Sequence, residues 1–229
     1  MNKTILVFVF LFSAFFTGTM FAQYTSDPSI ASYRRLLNDN NSKLSPSSSR
    51  VEGSQFAFKS NSNSFIVYDV YGESHKVPGG NYDAFTDNVV SALGKDSVFV
   101  FSKKMIKSFR VNGVLFNRYI NKENQKKFYA ELTSGKGMVL LKSYVVIIKN
   151  GAIDPLTQHK ISKDKFVLNE KYFLLNENNI ADEIQLRKKK ILKLFVSHKD
   201  EIIDFVKINK LSFKSESDLI KLFNYYNSL

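Results

Sequence analysis

The chain has 229 residues with 33 basic against 21 acidic, a formal charge of +12, and neither cysteine nor tryptophan. Without cysteine there is no disulfide framework, no thiolate nucleophile and no cysteine-ligated metal, so the core alone must hold the fold. The charge is regional, because residues 95–165 carry fifteen basic against five acidic while residues 1–94 balance at seven each. It is also poor in the planar fork that reads phosphate bidentately, with 27 lysines to six arginines.

Residues 1–22 place Lys3 ahead of an apolar run over 5–16, then small residues around Gly18, then Ala22 before Gln23. That three-part plan predicts a secretory signal peptide cut after Ala22, although Met20 stands where a small residue is preferred. The run is shorter than the ~20 residues a spanning helix needs, so the expectation is export rather than an uncleaved anchor, with no transmembrane segment in the mature chain. Residues 23–54 read as a lead-in. Asp27 and Pro28 suit a helix start, with Ile30, Tyr33 and Leu37 on one face. The stretch "SKLSPSSSRVEGS" then reads as a mobile serine-rich linker.

Residues 55–184 read as an antiparallel β domain. The runs "QFAFK", "FIVYDVY", "SVFVF", "IKSFRV", "VLFNRYI", "KFYAEL", "VLLKSYVVIIK" and "KFVLNEKYFLL" are rich in side chains that fit a pleated, half-buried surface. "IKSFRV-NG-VLFNRYI" has the dipeptide of a tight hairpin. Connections this short demand antiparallel neighbours, so a meander curled into a sandwich or half-barrel is expected. "NYDAFTDNVVSALGKD" reads as an insertion with room for a helical turn.

Residues 185–229 read as about three amphipathic helices packed on the β domain, making the fold class α+β, mainly β. Ser197 with Asp200, and Ser215 with Asp218, match capping-box spacing. Ile191, Leu194 and Phe195, then Ile202, Phe205 and Val206, then Leu219, Leu222, Phe223 and Tyr226, recur at three and four residues. The lysines of this tail fall largely off those stripes and read as a solvated face.

No stretch carries a recognisable catalytic motif, and no catalytic residue, metal ligand set or cofactor is assigned. His75, His159 and His198 lie apart; "ESH" at 73–75 is the nearest thing to a local ligand pair. Glu131, Glu170 and Asp69 are carboxylates from which a glycosidase-type pair would have to come, yet nothing selects two of them. Lysines interleave with aromatics in "FSKKMIKSFR" and "KENQKKFYAEL", a pattern that binds single-stranded nucleic acid. Export argues against that partner, and a half-exposed sheet gives the same alternation. What remains is an anion-attracting surface of Lys103, Lys104, Lys107, Arg110, Arg118, Lys126 and Lys127, facing anionic envelope lipid or acidic polysaccharide.

The segments "FAQ", "FYAELTSGKGMVLLKSYVV" and "RKKKILKLF…FVKINKL…SESDLIKLFNYYNSL", in that order, resemble a family of exported bacterial proteins without an assigned function, over roughly residues 95–229. The resemblance implies a shared fold and export, and supplies no catalytic residue. The expectation is an exported cell-envelope protein acting as a non-enzymatic binding or structural module. The alternatives are an envelope hydrolase with an acidic pair hidden from sequence and, more remotely, an outer-membrane barrel.

Overall fold

The computed structural model describes residues 34–40, 42–46, 51–93, 97–135 and 137–229. The expected signal peptide, its expected cleavage site and the helix start expected at Asp27 lie outside them. Residues 34–37 are helical, and Leu36 is fully buried.

Strand β1 is Lys43–Pro46, followed by β2 (Phe65–Asp69), β3 (Ser74–Lys76), β4 (Gly80–Asp83), β5 (Asn88–Ala92) and β6 (Ser97–Val100). Then come β7 (Ile106–Val111), β8 (Val114–Asn121), β9 (Lys126–Glu131), β10 (Val139–Lys149), β11 (Lys165–Leu175) and β12 (Ile180–Ile184). The helices are α1 (Lys188–Leu192), α2 (Lys199–Ile208) and α3 (Glu216–Tyr226). The chain is thus mainly β with a helical C-terminal part, as its composition predicts.

The strands form two sheets, one ordered β1-β6-β5-β4 and one ordered β12-β11-β10-β9-β8-β7-β2-β3. The expected mobile linker is therefore partly strand, since β1 pairs antiparallel with β6 from Lys43 opposite Val100. The insertion read as room for a helical turn is instead the hairpin β4–β5. "QFAFK" makes only an isolated bridge, Phe56 to Asp83.

The larger sheet closes on itself. β12 returns to β8, with Ile180 opposite Ile120 and Ala181 opposite Asn121, in parallel. Five alternately directed strands, β8 to β12, require that sense, because the first and the fifth run the same way. Tyr129, Leu141, Phe173 and Ala181 fill the interior of this small barrel, as a barrel of few strands requires. At the other end the two sheets pack face to face over Phe65, Val67, Tyr82, Val89, Phe109, Phe116 and Phe128. Gly80 belongs to that core because a Cβ there would collide with the Phe65 side chain.

The helices bury the predicted stripes. Ile191, Phe195, Ile202, Leu219, Leu222 and Phe223 close over Leu140 of β10, with Leu194, Phe205, Val206 and Tyr226 partly buried around them. The Ser215 cap forms, its hydroxyl accepting from the Asp218 amide at 3.4 Å, but the Asp218 carboxylate accepts from the Ser212 amide and not from Ser215. The Ser197 box does not form. α2 starts one residue later, with His198 at the N-cap position (φ +58°) making no side-chain cap bond; its Nδ1 lies 2.9 Å from Glu201 Oε1 instead.

Candidate functional site

The β7–β8–β9 region positions most of the basic residues singled out above. β7 and β8 are joined by Asn112 (φ +48°) and Gly113 (φ +89°), the two positive angles that let strands turn back on themselves. Along β2 the register slips between Tyr68 and Asp69, which face Ser108 and Ile106. Lys107 is therefore the extra residue of a β-bulge. Strict alternation from the buried Phe109 and Val111 would aim Lys107 into the core; the bulge buries Ile106 and turns Lys107 to solvent.

Beside this bulge lies an open depression of about 510 Å³ lined by Lys104, Lys107, Arg118, Lys126, Val70 and Ile106, with Asn117 and Tyr119 at its side. It opens along the stretch of β8 that lies between its pairing with β7, which ends at Asn117, and its pairing with β12, which starts at Ile120. Arg118 is held in place by its guanidinium, 5.3 Å above the Phe128 ring, and by Nη1 donating to the Lys103 carbonyl at 3.1 Å. Asn117 and Tyr119 both donate to Glu131 Oε1, at 2.6 and 2.5 Å. Those two bonds engage the Glu131 carboxylate, and the residues lining the depression include no acid among those described.

The remaining basic candidates go elsewhere. Lys103 pairs with Asp87 at 3.1 Å and donates to the Thr86 carbonyl. Arg110 donates to the Gly113 carbonyl of its own hairpin at 2.6 Å. Lys127 lines two neighbouring cavities, of about 320 and 260 Å³, and not the depression. Four of the seven thus converge.

Asp69, Glu131 and Glu170 are not brought together, since each is bonded to a different set of partners. Asp69 accepts from the Tyr71 and Glu73 amides at 2.9 Å and lies 3.1 Å from His75 Nε2. Burial pushes its pKa up, but the bonds from His75 and those two amides outweigh burial and hold it below the usual range. Among the described residues, Asp69, Glu73 and His75 are the group whose donor atoms lie close enough together, within 4.8 Å of one another, to hold a cation. The Asp69 oxygens are already engaged in holding the β2–β3 turn.

Glu170 serves a cluster that the sequence does not announce. Lys142, on β10 and only 7% exposed, bonds Glu170 Oε1 at 2.9 Å and Glu216 Oε2 at 2.8 Å, and its ammonium lies 4.8 Å from the Tyr144 ring. Tyr172 donates to the same Glu216 oxygen at 2.8 Å. Burial alone would lower the pKa of Lys142; the bonds to Glu216 and Glu170 outweigh it and hold the ammonium above the usual lysine range. Glu216 belongs to the first turn of α3, so the cluster clasps the helical part to the sheet.

Among the described residues no helix is long and apolar enough to cross a membrane. Comparison with protein-family models, with curated proteins and with solved structures finds no match to this chain.

Proposed function

We propose that this protein is exported, belongs with the exported family its sequence resembles, and acts at the cell envelope as a non-enzymatic module that binds anionic groups. The observation that carries this reading is the convergence of Lys104, Lys107, Arg118 and Lys126 on one depression with no acid among its described lining residues. Cations gathered in a concave site with low-dielectric walls reinforce each other's field, whereas scattered lysines do not.

Two measurements test the reading. Mass spectrometry of the protein outside the cytoplasm should find a chain starting at Gln23; a chain retaining residues 1–22 would overturn the cleavage step. Retention on anionic vesicles and acidic polysaccharide should be lost when Lys104, Lys107, Arg118 and Lys126 are changed to glutamine. The equal change at Lys188, Lys189, Lys190 and Lys193 should only weaken it. Binding should fall steeply with salt, as the screening length shrinks from about 10 Å at 0.1 M to about 3 Å at 1 M. Equal loss in both variants would mean that net charge binds, not a site.

A further inference from the structure

The depression has a rim that a site for soluble polyanions does not need. Val70, which lines it, is 50% exposed, and the next residue, Tyr71, is 60% exposed. These two side chains stand at the β2–β3 turn, and the turn is rigid. The Val70 amide donates to the Met105 carbonyl at 3.0 Å, the Tyr71 and Glu73 amides are held by the Asp69 carboxylate, and Gly72 takes φ +89°. Through Met105 the turn is fixed to the segment that carries Lys104 and Lys107. Arg35 stacks over the Tyr71 ring at 4.8 Å, adding a fifth cation beside the apolar pair. An aliphatic and an aromatic side chain, held out in water next to clustered cations, match a bilayer interface. There an aromatic ring sits at headgroup depth and basic residues meet anionic headgroups.

We infer that the depression and the Val70–Tyr71 turn together form a docking surface for an anionic phospholipid bilayer, with headgroup phosphates in the depression and the turn entering the headgroup–acyl boundary. This rests on the anion-binding reading above and narrows it to one source of anion. Preorganisation matters here, because a turn already tied at both ends loses little conformational freedom on binding. Each basic residue near an anionic leaflet is worth a factor of about five, so four of them account for a factor of several hundred in partition.

The chain has no tryptophan, so Tyr71→Trp introduces a sole reporter at the proposed depth. Its fluorescence is read with vesicles of phosphatidylcholine alone, vesicles containing phosphatidylglycerol, the same vesicles with brominated acyl chains, and acidic polysaccharide. The expected result is a blue shift and bromine quenching with phosphatidylglycerol vesicles only. Both should vanish when Lys104, Lys107, Arg118 and Lys126 are glutamine, with an unchanged circular dichroism spectrum. A second reporter, Leu156→Trp, occupies the most exposed apolar position of the β10–β11 hairpin, at 92%. Quenching of the Leu156→Trp reporter but not of the Tyr71→Trp reporter would overturn the inference and make the hairpin tip the lipid contact. Binding to vesicles and polysaccharide alike, with the indole of the Tyr71→Trp variant still in water, would overturn insertion while leaving anion binding intact. No binding to either polyanion would remove both readings.

Discussion

Changing Lys142 to methionine tests whether the helical part is held to the barrel by charge or by apolar burial alone. Methionine keeps an unbranched apolar stem, one atom shorter, between Tyr144 and Tyr172 but leaves Glu170 and Glu216 facing each other with no cation between them. Removing one partner of a fully buried ion pair costs about 3–5 kcal/mol. Here the lysine is 7% exposed but its partners are 44% and 35% exposed, so water screens part of the repulsion and about 2 kcal/mol is expected. For a domain of this size that corresponds to a fall in Tm of roughly 4–8 °C. Urea and thermal unfolding of the wild type, Lys142→Met, Glu216→Gln and the double variant would give the coupling energy, expected at about 1 kcal/mol. The pH dependence has a definite sign. Because the folded pKa of Lys142 is raised above 10.5, its contribution is fully present below 10.5 and is lost only as pH rises through the folded value. A Lys142→Met protein as stable as wild type at pH 7, with no coupling to Glu216, would refute the clasp.

Phe223→Ala empties a fully buried position between the helices and β10 and should cost about 3–5 kcal/mol in urea unfolding. Phe205→Ala, stacked on Tyr225 but only partly buried, should cost less, about 2 kcal/mol. Asp69 has a depressed pKa, so its contribution is present above 3.8 and lost as pH falls through its folded value. Asp69→Asn should flatten the acid limb of the stability curve, measured by unfolding between pH 5 and roughly 2. Tyr119 and Tyr129 are pushed up to about 12, and Tyr82, Tyr144 and Tyr172 are raised as well, so an ultraviolet titration should show a late step at about pH 11 and above, where ordinary tyrosines have already ionised; phenylalanine at positions 119 and 129 should shrink that step by two groups without abolishing it.

The strands legible in the sequence are those whose side chains choose the strand for themselves, such as Ile106–Val111, Val139–Lys149 and Lys165–Leu175. The ones it hides are short and polar. β4 reads "GNYD" and is buried throughout, which is possible only because its polar groups find partners: Asn81 with the Phe58 backbone and Asn61, Asp83 with Gln55 and the Phe85 and Thr86 amides. Those partners are distant in sequence or in a turn, and no local pattern encodes them. The same limit applies to function. A count of charge finds the basic region, but not the bulge that turns Lys107 outward, nor Asp87, sixteen residues away, which takes Lys103 out of the site. Lys142, Glu170 and Glu216 stand on three separate elements and meet only in the fold.

The barrel is closed by a narrow join, matched in width only by that of β9 with β10, where Glu131 faces Leu141 and Ala130 faces Lys142. β10 and β11 zip along their whole length, from Val139 opposite Leu175 to Lys149 opposite Lys165, whereas β12 meets β8 only at Ile180 and Ala181. Sub-global opening is cheapest where the fewest bonds must break, so amide hydrogens at this seam exchange through an event that leaves the sandwich end folded. In the open form the barrel becomes a sheet with an unpaired β12 edge, free to accept a strand from another chain. The helices follow β12 directly, and the Lys142 clasp joins them to β10 on the far side of the barrel interior. That tether limits how far the seam can part, and keeps the opened edge within reach of its own partner.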